Sequence, residues 1–292
     1  MNITFIGLGA MGTAMVERLL LAHYQVTVFN RTPEKAEPLI SLGAKRAASL
    51  VTAVSDADVV LTCVLDDHAV LETVGLMLPA MKQGTIHVGL STILPGTAEK
   101  LLTLHRKQHT HYFSGVVLGV PAVAKEGGLT TFCAGSNKVL EVVHPLLSTF
   151  SEHVIPLGDE ADIKAPNLMK ICMNYSLMTA IELMSELFVF AEKTGLDKDI
   201  VRKGLQTIYG HPAFQRYIDK IAERNFDEVN FTMRGGQKDA GIFKQAFSEA
   251  GVTPELSNLL KQRYDAALSC GMENKDWSGI YEVIRKQSGL KD

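Results

Sequence analysis

Three glycines near the start of the chain, Gly7, Gly9 and Gly12, fall where a β-rich run meets a helical run. That placement restricts the fold more than any other feature. Residues 3–6 read as a strand and residues 10–22 as a helix. In a Gly-x-Gly-x-x-Gly motif the first glycine permits a tight turn and the second lets the backbone approach a pyrophosphate. The third lets the helix lie close on the strand. The helix N-terminus then offers unpaired amides to an anion. Glycines at such spacings also arise by chance, so the strand-to-helix context carries the argument. It predicts a dinucleotide site built from Gly7, Leu8, Gly9, Ala10, Met11 and Gly12.

The alternation continues. Residues 25–29 read as a second strand, Pro33 opens a helix, and residues 58–63 and 85–88 read as further strands. Runs at 112–113, 129–133 and 153–156 extend the series. Such alternation predicts a parallel, doubly wound sheet of the Rossmann type. No strand is evident after Gly158, and helical patterns occupy 166–193, 200–208, 214–222, 235–250, 255–270 and 277–286. The fold class is therefore α/β, with the Rossmann-type sheet at residues 1–160 and an all-helical domain at 161–292. A length of 292 residues suits two domains.

Composition narrows the function. A hydrophobic content of 46% supplies sizeable cores, and a formal net charge of -3 provides no basic field for nucleic acid or an acidic membrane. The N-terminus shows no basic-then-apolar leader, and Lys170, Asn174, Glu182 and Glu186 interrupt the long helix, so a membrane span is not expected. Cys63, Cys133, Cys172 and Cys270 form no Cys-x-x-Cys pair, and three sit in apolar runs where a thiol packs as a small hydrophobe. A reduced, cytoplasmic protein is expected.

Cofactor choice is written at the end of the second strand. An Asp or Glu there accepts hydrogen bonds from the ribose diol of NAD. This chain has Asn30-Arg31-Thr32 instead. No carboxylate repels a 2′-phosphate, and Arg31 can stack on adenine while pairing with that phosphate. NADP is expected over NAD.

Residues 166–193 are apolar on nearly every side, which predicts a buried helix. Asn167, Lys170 and Asn174, spaced by three and four, share one of its faces. Desolvation makes a lysine give up its proton more readily. The bland alternatives are a lysine that snorkels to water or pairs with a buried acid. Taken with the dinucleotide motif, the pattern predicts a hydride-transfer enzyme with Lys170 as proton donor.

Phe5-Ile6-Gly7-Leu8-Gly9-Ala10-Met11-Gly12, Asn30-Arg31-Thr32, Ser91-Thr92-Ile93, Lys170 with Asn174, and Lys238-Asp239 follow one another along the chain. In this set the sequence resembles the β-hydroxyacid dehydrogenase family, which includes 3-hydroxyisobutyrate dehydrogenases and glyoxylate/succinic semialdehyde reductases. The resemblance covers essentially the whole chain. It implies that Val64 and Leu65 lie beside the cofactor and Thr92 near its nicotinamide end. It makes Lys170 the catalytic lysine and Asn174 a substrate-positioning group. Lys238 lies near the cofactor, with Asp239 as its structural neighbour. The implied reaction interconverts a semialdehyde or keto acid and a hydroxy acid in a cleft between the domains, without a metal. The long apolar helix adds the expectation of a homodimer or higher homo-oligomer.

One stretch departs from the family. Its substrate loop reads Asp-Ala-Pro-Val-Ser-Gly-Gly; here Ser114-Gly115-Val116-Val117-Leu118-Gly119-Val120 stands instead. Leu118 replaces the serine and Val120 the second glycine. Leu118, Gly119 and Val120 are then substrate-contact candidates in a greasier, narrower pocket. Met173 stands where relatives often carry another asparagine. Imine reductases share the architecture but usually replace the lysine by Asp or Tyr, so C=N reduction is the second reading. A cofactor-sensing module without turnover is the third.

His105, His109 and His111 offer a zinc-like spacing, but no nearby acid or cysteine completes a site, and a solvated helix end is expected. His211 is expected to cap or pack, Gly127-Gly128 to turn before a strand or border the active site, Glu182 and Glu186 to meet cations or a partner subunit, and Trp277 with Tyr281 to pack the second domain.

Overall fold

The computed structural model describes residues 1–290. The chain parts into two compact units, Met1–Lys170 and Ile171 onward. In the first, strands and helices alternate: β1 Ile3–Ile6, α1 Ala10–Leu21, β2 Val26–Phe29, α2 Glu37–Ser41, β3 Lys45–Arg46, α3 Leu50–Val54, β4 Val59–Thr62, α4 Asp67–Met77 and β5 Ile86–Gly89. Then come α5 Pro95–Lys107, β6 His111–Leu118, α6 Pro121–Glu126, β7 Leu129–Ala134, α7 Asn137–Leu147 and β8 Ser151–Pro156. The sheet order is β3-β2-β1-β4-β5-β6-β7-β8, parallel throughout except between β6 and β7.

Helices on both faces explain why β1, β4 and β5 are buried at every position. One apolar layer joins Phe5, Val28 and Leu61 to Met15 and Leu19 of α1 and Val143 of α7. The other joins Ile6 and Val60 to Val54, Val74, Met77 and Leu101 of α3, α4 and α5. Strand order reverses beside β1, which opens a ligand crevice at the carboxyl ends of β1 and β4.

Several local expectations change. The two-residue edge strand β3 is all charge, so no apolar run announces it; its exposed Lys45 and Arg46 discourage further pairing. Pro33 opens a short 3-10 turn, Pro33–Ala36, ahead of the five-residue α2. The strand expected at 112–113 is the eight-residue β6, extended because its far half pairs with β7 out to Leu118 opposite Thr130. Gly127, at φ 79°, ends α6, and the Gly128 amide donates to the Val123 carbonyl at 2.9 Å, which makes the expected turn.

The histidine expectation is corrected. His109 and His111 are exposed, but His105 is fully buried. It packs with His87 and Tyr112. The Thr62 hydroxyl meets His87 Nε2 at 2.8 Å, His87 Nδ1 meets His105 Nε2 at 2.9 Å, and His105 Nδ1 meets Thr110 Oγ1 at 2.8 Å. Thr110 donates onward to the His105 carbonyl, so one tautomer pattern satisfies both neutral rings. Among the described residues no cluster of His, Cys, Asp and Glu could hold a metal ion.

The helix α8, Ala165–Thr194, begins in the first unit and continues into the second. The second unit adds α9 Lys198–Ile208, α10 Pro212–Glu223, α11 Met233–Glu249, α12 Glu255–Ser269 and α13 Ile280–Gln287. Its core joins Met184 and Phe188 of α8 to Ile218 and Ile221 of α10 and Ile284 of α13. Trp277 and Tyr281 are buried, His211 caps α10 by accepting from the Ala213 amide at 3.2 Å, and Glu182 pairs with Arg263 at 2.7 Å. The expectation that α8 is buried all round is corrected. Leu183, Leu187 and Phe190 are exposed, and so is Cys172, because the core takes only the opposite stripe. No helix among the described residues is long and apolar enough to cross a membrane.

Candidate active site

The parallel strands carry most of the first unit's candidate residues to one edge of the sheet. Gly7 follows β1, Asn30 follows β2, Val64 lies just past β4 and Thr92 just past β5, all at carboxyl ends of neighbouring strands. Gly7 adopts φ 97°, and a Cβ there would lie 2.2 Å from the Cys63 carbonyl oxygen. A Cβ on Gly12 would lie 2.0 Å from the Gly7 carbonyl oxygen, so both glycines are needed for the turn and for α1 to sit against it. Gly9 is different. It is the N-cap of α1, it is exposed, and a Cβ built there meets nothing within 4 Å. Glycine is an ordinary N-cap residue, and the open space around Gly9 leaves its backbone accessible to an approaching group. The cradle therefore fits a dinucleotide pyrophosphate on the amides of Gly9, Ala10 and Met11.

Asn30 holds this turn from the next strand. Its Oδ1 accepts from the Leu8 amide at 2.9 Å, and its Nδ2 donates to the Thr32 carbonyl at 2.9 Å. Leu8 itself is buried, so it can serve a cofactor only through its backbone. Arg31 and Thr32 are exposed beyond the turn.

The segment bearing Thr92 is pinned on both sides. The Leu90 amide donates to the Thr62 carbonyl at 2.9 Å, and Ser91 Oγ accepts from the Val64 amide at 2.9 Å. The Ile93 amide donates to Asn167 Oδ1 at 3.3 Å and the Leu94 amide to Asp67 Oδ1 at 2.9 Å. Thr92 is half-buried between these ties, while Leu65 stands exposed. Asn167, fully buried in the first turn of α8, also donates from Nδ2 to Ser114 Oγ on β6 at 3.3 Å. One carboxamide thus ties the Thr92 segment, β6 and the helix that carries Lys170 one turn later. Lys170 retains 7% exposure.

Beyond Ser114, β6 leads to Leu118, Gly119 and Val120, which make the turn into α6. Gly119 takes φ 139°, and a Cβ there would lie 2.5 Å from Leu129 Cδ2. Leu118 and Val120 are half-buried. In the second unit Asn174 Nδ2 donates to Asp239 Oδ2 at 3.0 Å, and Lys238 Nζ lies 2.7 Å from Asp239 Oδ1. Asp239 is 1% exposed, so its charge is held by these two neighbours and it orients both.

Residues 2–158 match the family model for the NAD-binding domain of 6-phosphogluconate dehydrogenase, and residues 165–284 match the NAD-binding model of NADP-dependent 3-hydroxyisobutyrate dehydrogenase. This chain belongs to the β-hydroxyacid dehydrogenase family. An uncharacterized oxidoreductase of Bacillus subtilis, YfjR, is 31% identical over 98% of this chain and 100% of its own. The 2-(hydroxymethyl)glutarate dehydrogenase of Eubacterium barkeri is 25% identical over 99% and 96%. The solved 3-hydroxyisobutyrate dehydrogenase of Mycobacterium tuberculosis, with L-serine, superposes with a TM-score of 0.86 at 25% identity, covering 97% of this chain and 99% of that one. The protein is an NAD(P)-dependent oxidoreductase acting on CH–OH groups.

For this dehydrogenase, sequence reasoning placed Asn167 on the face of Lys170 but assigned it no contact. Asp67 and the Asp239 link to Asn174 also escaped as hydrogen-bonding partners. Asp67, in the first turn of α4, was signalled only by its place after a strand. The Asn167–Ser114 contact spans 53 residues, beyond the reach of any local pattern.

Proposed function

We propose that this dehydrogenase uses NADP to interconvert a semialdehyde or keto acid and a hydroxy acid, with Lys170 as general acid/base. The observation that carries the proposal is a lysine side chain, Lys170, at 7% exposure, one turn beyond the carboxamide that pins the Thr92 segment. The nicotinamide, when bound, supplies or takes up the hydride. In reduction Lys170 Nζ stabilises the developing oxyanion and donates its proton to it; in oxidation the neutral amine accepts the hydroxyl proton. Asn174, oriented by Asp239, positions the substrate. Gly7 to Gly12, Asn30, Arg31, Thr32, Val64, Leu65, Thr92 and Lys238 hold the cofactor. Residues 1–160 act as the cofactor domain and 161–292 as the substrate and dimerisation domain, in a cytoplasmic homo-oligomer.

The turn at Leu118, Gly119 and Val120 favours a substrate with an aliphatic body. The same aliphatic turn favours imine reduction as the second reading, and a panel of semialdehydes, keto acids and cyclic imines with NADPH separates the two. Lys170→Ala should lower turnover of the best substrate by about 10²- to 10⁴-fold while NADPH affinity stays within about twofold. Near-normal turnover in that variant would remove Lys170 from the chemistry.

A further inference from the structure

Gly89 ends a strand, β5, that is buried along its whole length. A glycine in a buried strand leaves space for a close approach. Here the approaching group is Tyr112 of the neighbouring strand β6: a Cβ on Gly89 would lie 2.6 Å from the Tyr112 hydroxyl oxygen. Tyr112 and Ser114, two residues apart, point to one face of the sheet, and Ser114 lies in register beside Gly89. The space at Gly89 admits the phenol oxygen, which shares a hydrogen bond with the Ser114 side chain. Burial pushes the Tyr112 phenol above its ordinary 10, so it stays protonated.

The contacts continue out of the sheet. A backbone amide can only donate, so the Ile93 amide, 3.3 Å from Asn167 Oδ1, fixes which way the carboxamide faces. Nδ2 then points to Ser114 Oγ, also at 3.3 Å, and the hydroxyl oxygen accepts. Both bonds are longer than the roughly 2.7–3.2 Å of a strong one, so the carboxamide is held only by the two together. Tyr112, Ser114 and Asn167 are all buried, and each depends on the next for its partner. Lys170 follows Asn167 by three residues, about 4.5 Å along the axis of α8. Ser114 also stands where the family's substrate loop begins with an aspartate, so this joint is a feature of this chain's own residues.

We propose that Ser114 is a positioning residue for hydride transfer: seated by Tyr112, it holds the Asn167 carboxamide and so sets the turn of α8 before Lys170 against the segment bearing Thr92. The proposal rests on the reading of Lys170 as the proton donor. Ser114 exchanges no proton with the substrate; it acts on the rate through where Lys170 stands.

The test combines amide hydrogen exchange with single-turnover hydride transfer on the full chain, using NADPH and the fastest-reacting member of the panel above. Ser114→Ala should speed exchange of the Ile93 amide by about tenfold and slow hydride transfer by about tenfold to a hundredfold, with KM and NADPH affinity within about twofold. Tyr112→Phe should change both in the same direction by less. Asn167→Ala should change both by more, and the Ser114→Ala, Asn167→Ala double variant should be no slower than Asn167→Ala, because the hydroxyl acts through the carboxamide. Thr85→Val removes another buried hydroxyl bond, to the Ala57 carbonyl at 3.1 Å, at the opposite end of β5; it should lower the melting point and leave the rate within about twofold. The proposal is overturned if Ser114→Ala leaves either the Ile93 exchange or the hydride-transfer rate unchanged, or if the two substitutions multiply in the rate. Near-normal turnover in Lys170→Ala, with fast Ile93 exchange in Ser114→Ala, would instead remove the lysine reading, and the positioning role with it.

Discussion

Single residues in the dinucleotide turn divide into those the turn geometry demands and those that leave open space for a ligand. Gly12 belongs to the first kind, since its added Cβ would meet the Gly7 carbonyl at 2.0 Å, and Gly9 to the second, since its Cβ would meet nothing. Gly12→Ala should therefore cost about 1–3 kcal/mol of stability by overpacking, together with cofactor affinity. Gly9→Ala should give up only the N-cap preference of glycine, melting well above Gly12→Ala, and should lose cofactor affinity. Thermal melts and NADPH titrations of the two variants check this; a melting point for Gly9→Ala as low as that of Gly12→Ala would contradict it. The glycine spacing was legible in the sequence because it is a local demand of one turn. The demand on Gly89 was not, because the Tyr112 hydroxyl that takes up its space belongs to the next strand.

Elements meet through polar joints that local periodicity does not encode. The helix bearing Lys170 is joined to the Thr92 segment and β6 by Asn167, and β4, β5 and α5 are joined by Thr62, His87 and His105. The histidine joint has a pH signature. Burial pushes His87 well below its ordinary 6.5, and burial, with the charge of His111 second, pushes His105 down to about 4. Unfolded, both rings take a proton near 6.5. Below that pH the unfolded chain binds more protons than the folded one, so this stability is whole above 6.5 and drains as pH falls toward 4. Most carboxylates are already ionised above about pH 5, and Glu182, raised by burial, opposes the histidine slope rather than adding to it. The unfolding midpoint should fall between about pH 7.5 and 5, and less steeply in a His87→Gln, His105→Gln double variant. Equal slopes in the two proteins would show that the pair is not the cause. The charged end of α5 predicted a solvated surface for His105, His109 and His111, and this fails at His105 alone, because the fold turns that ring inward to His87.

The whole molecule leaves an apolar stripe uncovered. Leu183, Leu187 and Phe190 lie three and four apart on α8 and are 42%, 37% and 61% exposed. A second copy of the chain would cover such a stripe, and two-fold pairing is the commonest solution. The protein should sediment as a dimer at about micromolar concentration, and Leu187→Glu should shift it to monomer with its helical circular dichroism unchanged. Sedimentation of the wild type as a monomer would leave the stripe unexplained. The alternating first half, the helical second half, the dinucleotide turn and a buried lysine could all be read from the chain, because each is a short-range pattern of size, polarity and backbone freedom. The ties on the Thr92 segment, the inward His105, the uncovered side of α8 and the seat of Ser114 required the folded protein. Those contacts join residues separated by loops and whole elements, and the free energy of such a contact depends on where packing brings the two partners, not on what precedes either of them in the chain.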